Sequence, residues 1–160
     1  MDVLDPSRRS RHLATSGPRL HRRPDDWTTA YRRLNVSTAP LWLAMILAPR
    51  AAGTARALRA ATPLLAALGA VYLGFLAGAR GGGRVDVTDA DSVRRALTSP
   101  EGFLAAWTHL LAFDLFVGRW IWETGLAEGR STRVALLLTW FAGPAGLLLF
   151  LAQRRTWRAG

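Results

Sequence analysis

Residues 102–122 read GFLAAWTHLLAFDLFVGRWIW, an apolar run long enough to cross a bilayer, which takes about 20 residues. The run nevertheless carries His109, Asp114 and Arg119. A carboxylate near the centre of a membrane helix costs roughly 2.5 to 3.5 kcal/mol on insertion scales, so Asp114 needs a partner or a chemical purpose. The run therefore predicts a membrane-spanning helix that also holds functional residues.

The composition describes one small, apolar and basic unit. Hydrophobic residues make up 50% of the 160 residues, and the net charge of +10 comes from 21 basic residues, all of them arginine. The arginines cluster beside the apolar runs, whereas a nucleic-acid domain interleaves basic and aromatic residues on one face. We therefore expect no nucleic-acid partner. Cysteine is absent and no second His or carboxylate stands at metal-binding spacing from His109, so we expect no metal and no cofactor.

Four apolar segments predict an all-α fold: an integral membrane four-helix bundle preceded by a disordered, arginine-rich N-terminal tail. The tail comprises residues 1–26, where prolines and arginines alternate without apolar periodicity. The four-helix transmembrane domain comprises residues 27–157, with spans over residues 34–50, 60–79, 102–122 and 134–152. Because arginines concentrate in the tail, between the second and third spans and after the fourth, both termini should face the cytoplasm.

Local signals predict where the helices begin, bend and end. Residues 99–101, Ser-Pro-Glu, are typical of a helix start, with a capping side chain followed by proline and an acid. Pro40 predicts a kink in the first span, and the Gly-Pro-Ala-Gly run at 143–146 predicts a bend in the fourth. Gly125 predicts the turn after the third span. Residues 80–95 are expected to form a solvated linker.

The polar residues of the third span fall on two helical faces. Arg119 and Glu123 are four residues apart and can pair at the membrane interface. Asp114 lies near the midpoint of the span and points about 140° away from His109 at 100° per residue. Either Asp114 is a protonated group that locks two helices together, worth about 1 kcal/mol, or it has a chemical or transport role. Its candidate partners at similar depth are Asn35, Ser37, Thr38, Tyr72 and Thr139.

The element W-x-H-L-L-x-x-D-L-F-x-x-R, from Trp107 to Arg119, resembles the core signature of the ABA DEFICIENT 4-like family, also known as a domain of unknown function. Asn35, Ser37 and Pro144 also match the pattern of that family, and the resemblance covers roughly residues 34–151. Plant members are linked to the formation of neoxanthin from violaxanthin, an isomerisation of an epoxy-carotenoid in the plastid membrane. The resemblance implies a multi-pass membrane protein that acts on a carotenoid-like lipid or supports enzymes that do.

On this interpretation the ligand lies in a cleft formed by the third helix against the first and fourth. His109 and Asp114 are the candidate catalytic residues, because both can exchange protons inside an apolar medium. The candidate substrate-binding residues are Asn35, Trp107, Arg119 and Glu123. An isomerase of this kind would need no redox cofactor.

Two other functions remain open on the sequence. The chain could be a non-enzymatic membrane scaffold for pigment or lipid enzymes, in which Asp114 only locks the helices. It could also be a proton-coupled carrier, although the repeated halves of many transporters are absent. The expected partners are membrane lipid, a carotenoid or other isoprenoid ligand, and a membrane protein or a second copy of the chain. The arginine-only composition and the lack of an evident plastid transit peptide indicate a bacterial cytoplasmic membrane.

Overall fold

The structure is a computed structural model that describes residues 26–79 and 85–158. Within these residues the chain is helical and contains no strand, which confirms the all-α fold. The predicted disordered tail, residues 1–26, lies outside the described residues except for Asp26, where the first helix begins. The helices are α1 (Asp26–Leu47), α2 (Ala52–Ala60), α3 (Thr62–Ala79), α4 (Ala90–Leu97), α5 (Pro100–Ala127), α6 (Arg133–Ala142) and α7 (Pro144–Arg158).

Residues 26–79 and 85–158 thus contain seven helices, where four were expected. Helix α1 continues through Pro40 and ends at Leu47. The second predicted span is α3, and α2 precedes it with an interruption at Ala61. The fourth span is divided at Gly143, which has a φ of +36° that a residue with a side chain rarely adopts. The predicted bend at this position is confirmed.

Helix α5 begins where the sequence predicts and ends later. The Ser99 hydroxyl accepts a hydrogen bond of 3.0 Å from the Gly102 N–H, and proline follows the cap. The helix ends at Ala127, beyond the predicted span over residues 102–122, and the turn predicted at Gly125 is wrong. Gly125 is buried inside the helix, in contact with Thr132, and the chain turns at Gly129 with a φ of +68°. The Arg130 N–H closes the helix by donating to the Gly125 carbonyl at 2.8 Å, the pattern of a Schellman motif.

The linker predicted for residues 80–95 contains a helix that sequence analysis missed. Helix α4 begins after Asp89, whose carboxylate accepts from the N–H groups of Asp91 at 3.1 Å and Ser92 at 3.0 Å. The helix has eight residues and none of them is buried, but Val93, Ala96 and Leu97 lie on one face at helical spacing, a short pattern that sequence analysis passed over. Its start could have been found from the capping acid alone.

Helix α5 lies at the centre of the described structure and packs against α1, α3, α4, α6 and α7. Two groups of buried residues hold these helices together. The smaller group joins α1, α3 and α5 through Leu34, Leu68 and Leu104. The larger group lies towards the other end of α5 and includes Trp42, Met45, Leu58, Leu115, Ile121, Trp122, Leu136 and Phe150.

The close approach of α1 to α5 depends on Gly118. A Cβ atom at this position would lie 2.5 Å from Cη2 and 2.6 Å from Cζ3 of Trp42. The Trp42 ring is buried and stacked on Trp140 with a centroid distance of 6.1 Å, so it has little room to retreat. Only glycine therefore permits this packing.

We expect Gly118→Ala to lower the free energy of unfolding by about 1 to 2 kcal/mol. Overpacking costs about 1 to 3 kcal/mol, and the better helix propensity of alanine returns up to about 1 kcal/mol. Reversible unfolding in mixed micelles measures the change. The control is Gly69→Ala in α3, where a Cβ atom meets nothing within 4 Å; it should be as stable as the wild type or more stable. Equal stability of the two variants would contradict the packing described here.

A polar cluster joins the end of α5 to α7. Arg154 donates a hydrogen bond of 2.8 Å to Glu128, and Arg130 approaches the other carboxylate oxygen at 3.5 Å. Partial burial by itself would raise the pKa of Glu128, but the hydrogen bonds and positive charges of Arg154 and Arg130 outweigh it and hold the pKa below its usual value. Arg130 also donates to the Gln153 carbonyl at 2.6 Å. The C-terminal part of α7 is thereby tied to the end of α5.

By length and composition, one helical stretch of the described chain could cross a membrane. It is Ala52–Ala79, 28 residues that comprise α2 and α3. Helix α6 is apolar but shorter, and the polar residues His109, Asp114 and Arg119 lower the hydropathy of α5. This stretch supports membrane association, and the four spans predicted from the sequence stay a prediction.

Candidate functional site

His109 lies on the face of α5 that meets α3. Its imidazole is exposed and stacks on Phe113, with a distance of 4.5 Å between ring centroids. On its other side lies Tyr72 of α3, at a centroid distance of 5.7 Å. Within the described part of the chain neither the imidazole nor the Tyr72 hydroxyl makes a hydrogen bond. Both groups are therefore available to a ligand on the outer surface of the α3–α5 pair.

Asp114 lies on a different face of α5, against the break between α6 and α7. A Cβ atom built on Gly143 would lie 2.9 Å from the Asp114 Oδ1 atom. Helix α7 begins at the next residue, Pro144, so the carboxylate faces the positive end of the α7 dipole. The side chain is half-buried at this junction. Asp114 is therefore a neighbour of the N-terminus of α7.

The side chains expected to pair with Asp114 bond elsewhere. Asn35, Ser37, Thr38 and Thr139 donate to carbonyl groups of their own helices, at distances between 2.7 and 3.3 Å. Tyr72 contacts His109 instead. The neighbour of Asp114 is the break at Gly143, which sequence analysis missed. Finding it requires knowing which face of α5 packs against the α6–α7 junction.

Arg119 and Glu123 form the predicted i, i+4 ion pair. The Arg119 Nε donates to Glu123 Oε1 at 2.8 Å. The same guanidinium donates to the Leu58 carbonyl at 3.3 Å, in the last turn of α2. Arg119 therefore ties α5 to the α2–α3 junction. The predicted role of these two residues in substrate binding stays a prediction.

Trp107 of α5 and Asn35 of α1 lie near the contact between these two helices. Trp107 packs against Tyr31 at 5.2 Å and against Phe103 at 6.0 Å between ring centroids. Its indole N–H is buried and has no hydrogen-bond partner among the described residues. The Asn35 amide donates to the Tyr31 carbonyl at 2.8 Å. Both residues thus border one aromatic cluster, and their predicted role in substrate binding remains a prediction.

The structure does not bring the two candidate catalytic residues together. His109 and Asp114 lie on one helix but face α3 and the α6–α7 break, respectively. Proton exchange with a ligand is therefore open to His109 on the outer surface, with the Tyr72 hydroxyl beside it. Among residues 26–79 and 85–158, no group of three His, Asp or Glu side chains is arranged to hold a metal ion.

Comparison with known proteins places this arrangement in a family. The sequence profile described as ABA DEFICIENT 4-like matches residues 29–150. Searches of curated proteins and of solved structures gave no match. The matched region runs from α1 into α7 and includes His109, Asp114 and Arg119. The chain belongs to the ABA DEFICIENT 4-like family.

Proposed function

We propose that this chain is an integral membrane protein that binds a carotenoid or another isoprenoid lipid and isomerises it. The observation that carries the proposal is the position of His109. It exposes a proton-exchanging group on an otherwise apolar helix surface, about 13 Å from the start of α5 by helical rise. Ionisable groups at such positions in a membrane are expensive and mark functional sites.

The surface of the helices supports the membrane part of the proposal. Large apolar side chains cover the outer faces, with Phe116 61% exposed on α5 and Phe141 76% exposed on α6. Water-soluble monomers rarely expose apolar patches of this extent, whereas bilayer hydrocarbon solvates them. The arginines that flank the apolar helices support the proposed topology, in which both termini face the cytoplasm.

The surface beside His109 supports an elongated apolar ligand. On α5, Leu110 is 50% and Phe113 is 60% exposed next to the imidazole. A hydrocarbon chain can lie along such a surface without leaving polar groups unpaired. Together with the family resemblance, this favours a long isoprenoid over a small polar substrate.

The proposed reaction is an isomerisation that moves one proton. An epoxide C–O bond breaks, the oxygen gains a proton, and a neighbouring carbon loses one. The molecular formula of the lipid is therefore unchanged and no oxidant or reductant is consumed. His109 is the proposed proton-transfer group because it alone of the two candidate residues faces the outer surface.

A second candidate function is a membrane scaffold for pigment or lipid enzymes. The observation that favours it is Asp114, which lies against Gly143 at the start of α7 rather than beside His109. In this case the acid fixes the angle between α5 and the broken fourth helical segment. Helix surfaces would then bind other membrane proteins, or a second copy of the chain.

Isoprenoid profiles of cells with and without the protein test the proposal. We expect one isoprenoid species to fall and a second of identical mass to rise when the protein is present. The mass identity follows from the isomerisation, since a scaffold would instead shift products of other enzymes with different masses. Profiles that coincide in the two strains would overturn the proposed activity.

A further inference from the structure

Tyr72 takes part in two features of the α3–α5 surface. Its ring contacts His109, as described above, and it also lines a half-open cavity of about 240 Å³ formed by α3, α4, α5 and the segment before α4. Tyr72 lies about 10 Å from the end of α3 by helical rise. It therefore connects the exposed imidazole to a half-open cavity nearer the end of α3.

The cavity is apolar apart from the Tyr72 side chain. Its walls are alanine, valine, leucine and glycine residues, among them Leu76, Val93, Ala105 and Ala106. One phenolic hydroxyl can donate one hydrogen bond and accept others. A bound ligand would cover this hydroxyl, and a covered polar atom without a partner is costly. A ligand group that fits here therefore carries a single oxygen beside Tyr72 and is otherwise hydrocarbon.

The volume of the cavity limits how much of a ligand it can hold. Pockets that take up a whole drug-sized ligand measure about 300 to 1,000 Å³, and this one is smaller at about 240 Å³. It suits the end group of a longer molecule. The remaining chain would lie outside on the lipid-facing side of α5, where Leu110 and Phe113 are exposed.

We propose that the cavity lined by Tyr72 binds the oxygenated terminal ring of an isoprenoid lipid, with the Tyr72 hydroxyl bonded to the ring oxygen and His109 beside it. This inference rests on the proposed function and names the part of the ligand that the site recognises. Tyr72 is a specificity-determining residue in this arrangement. The ring oxygen then lies towards α4, and the hydrocarbon chain runs along α5 towards the bilayer centre.

Two carotenoids that differ only in ring oxygen test this inference. The probes are zeaxanthin, with a hydroxyl on each end ring, and β-carotene, with none. Binding to the full chain in phosphatidylcholine nanodiscs is followed by quenching of its tryptophan fluorescence. The wild type should bind zeaxanthin more tightly than β-carotene. Tyr72→Phe, which keeps the ring against His109, should weaken zeaxanthin binding roughly three- to tenfold and leave β-carotene unchanged.

Two further variants distinguish the effect of the Tyr72 hydroxyl from the effect of the cavity volume. Tyr31→Phe removes the other tyrosine hydroxyl of the chain, in the cluster with Phe103 and Trp107, and should bind both probes as the wild type does. Ala106→Leu partly fills the cavity and should weaken both probes.

The outcomes distinguish this inference from the proposed function. Tight zeaxanthin binding by Tyr72→Phe would overturn the role of the hydroxyl while the isoprenoid ligand stands. Binding of neither probe to the wild type would overturn both proposals.

Discussion

His109→Gln should reduce isoprenoid conversion by at least about 100-fold while the melting temperature stays unchanged. General acid–base groups contribute roughly 10² to 10⁴ in rate, and glutamine cannot exchange the proton. The fold should not suffer, because the imidazole is exposed and its contacts are the rings of Tyr72 and Phe113. Conversion is measured by chromatography of lipids extracted from membranes with equal amounts of each variant. Thermal unfolding in detergent reports the fold.

The matched control is Leu137→Ala. Leu137 lies on α6 outside the cavity lined by Tyr72, is 46% exposed, and has no proton to transfer. This variant should convert the lipid at the wild-type rate, so that a loss specific to His109 cannot come from a disturbed surface. Conversion by His109→Gln at the wild-type rate would remove the basis for the proposed activity.

Asp114→Asn distinguishes the scaffold alternative. If Asp114 acts through its contact at the start of α7, the neutral amide should lower stability by about 0.3 to 1 kcal/mol. In a scaffold this loss would be accompanied by a loss of assembly with partner enzymes, and His109→Gln would have no effect. In the enzyme, the two variants should therefore separate: one loses turnover and the other loses stability.

Sequence reasoning located the features that are encoded within a few residues. The start of α5 could be predicted because Ser99 and Pro100 satisfy the N-terminal donors locally. The break at Gly143 could be predicted because glycine followed by proline cannot continue a regular helix. The pairing of Arg119 with Glu123 follows from helical spacing alone. The family assignment rested on a motif within this same helix.

The features that sequence reasoning missed depend on contacts between elements. Glycine is common in turns, but Gly125 stays within the helix because Thr132 packs against it. The sequence predicts Tyr72 as a partner for Asp114 because both residues lie at similar depth along their spans. The sequence does not tell which face of α5 meets α3, and in the structure Tyr72 contacts His109 instead. The contact between Tyr72 of α3 and His109 of α5 could therefore be found only from the structure.

Helices that cross the bilayer are the central claim, and a labelling experiment with single cysteines tests it most directly. The chain contains no cysteine, so each introduced thiol is the sole target of a maleimide. Val87 and Phe116 make a matched pair because both side chains are exposed in the structure, at 81% and 61%. Unsealed membrane fragments leave both surfaces open to a membrane-impermeant maleimide.

The account predicts that Val87→Cys is labelled at once and that Phe116→Cys, beside Asp114, stays unlabelled until detergent dissolves the bilayer. A thiol in hydrocarbon is out of reach of the reagent and does not form the reactive thiolate. Rapid labelling of Phe116→Cys in intact bilayers would place this face of α5 in water. Such a result would contradict the membrane-spanning arrangement and the lipid site at His109 together.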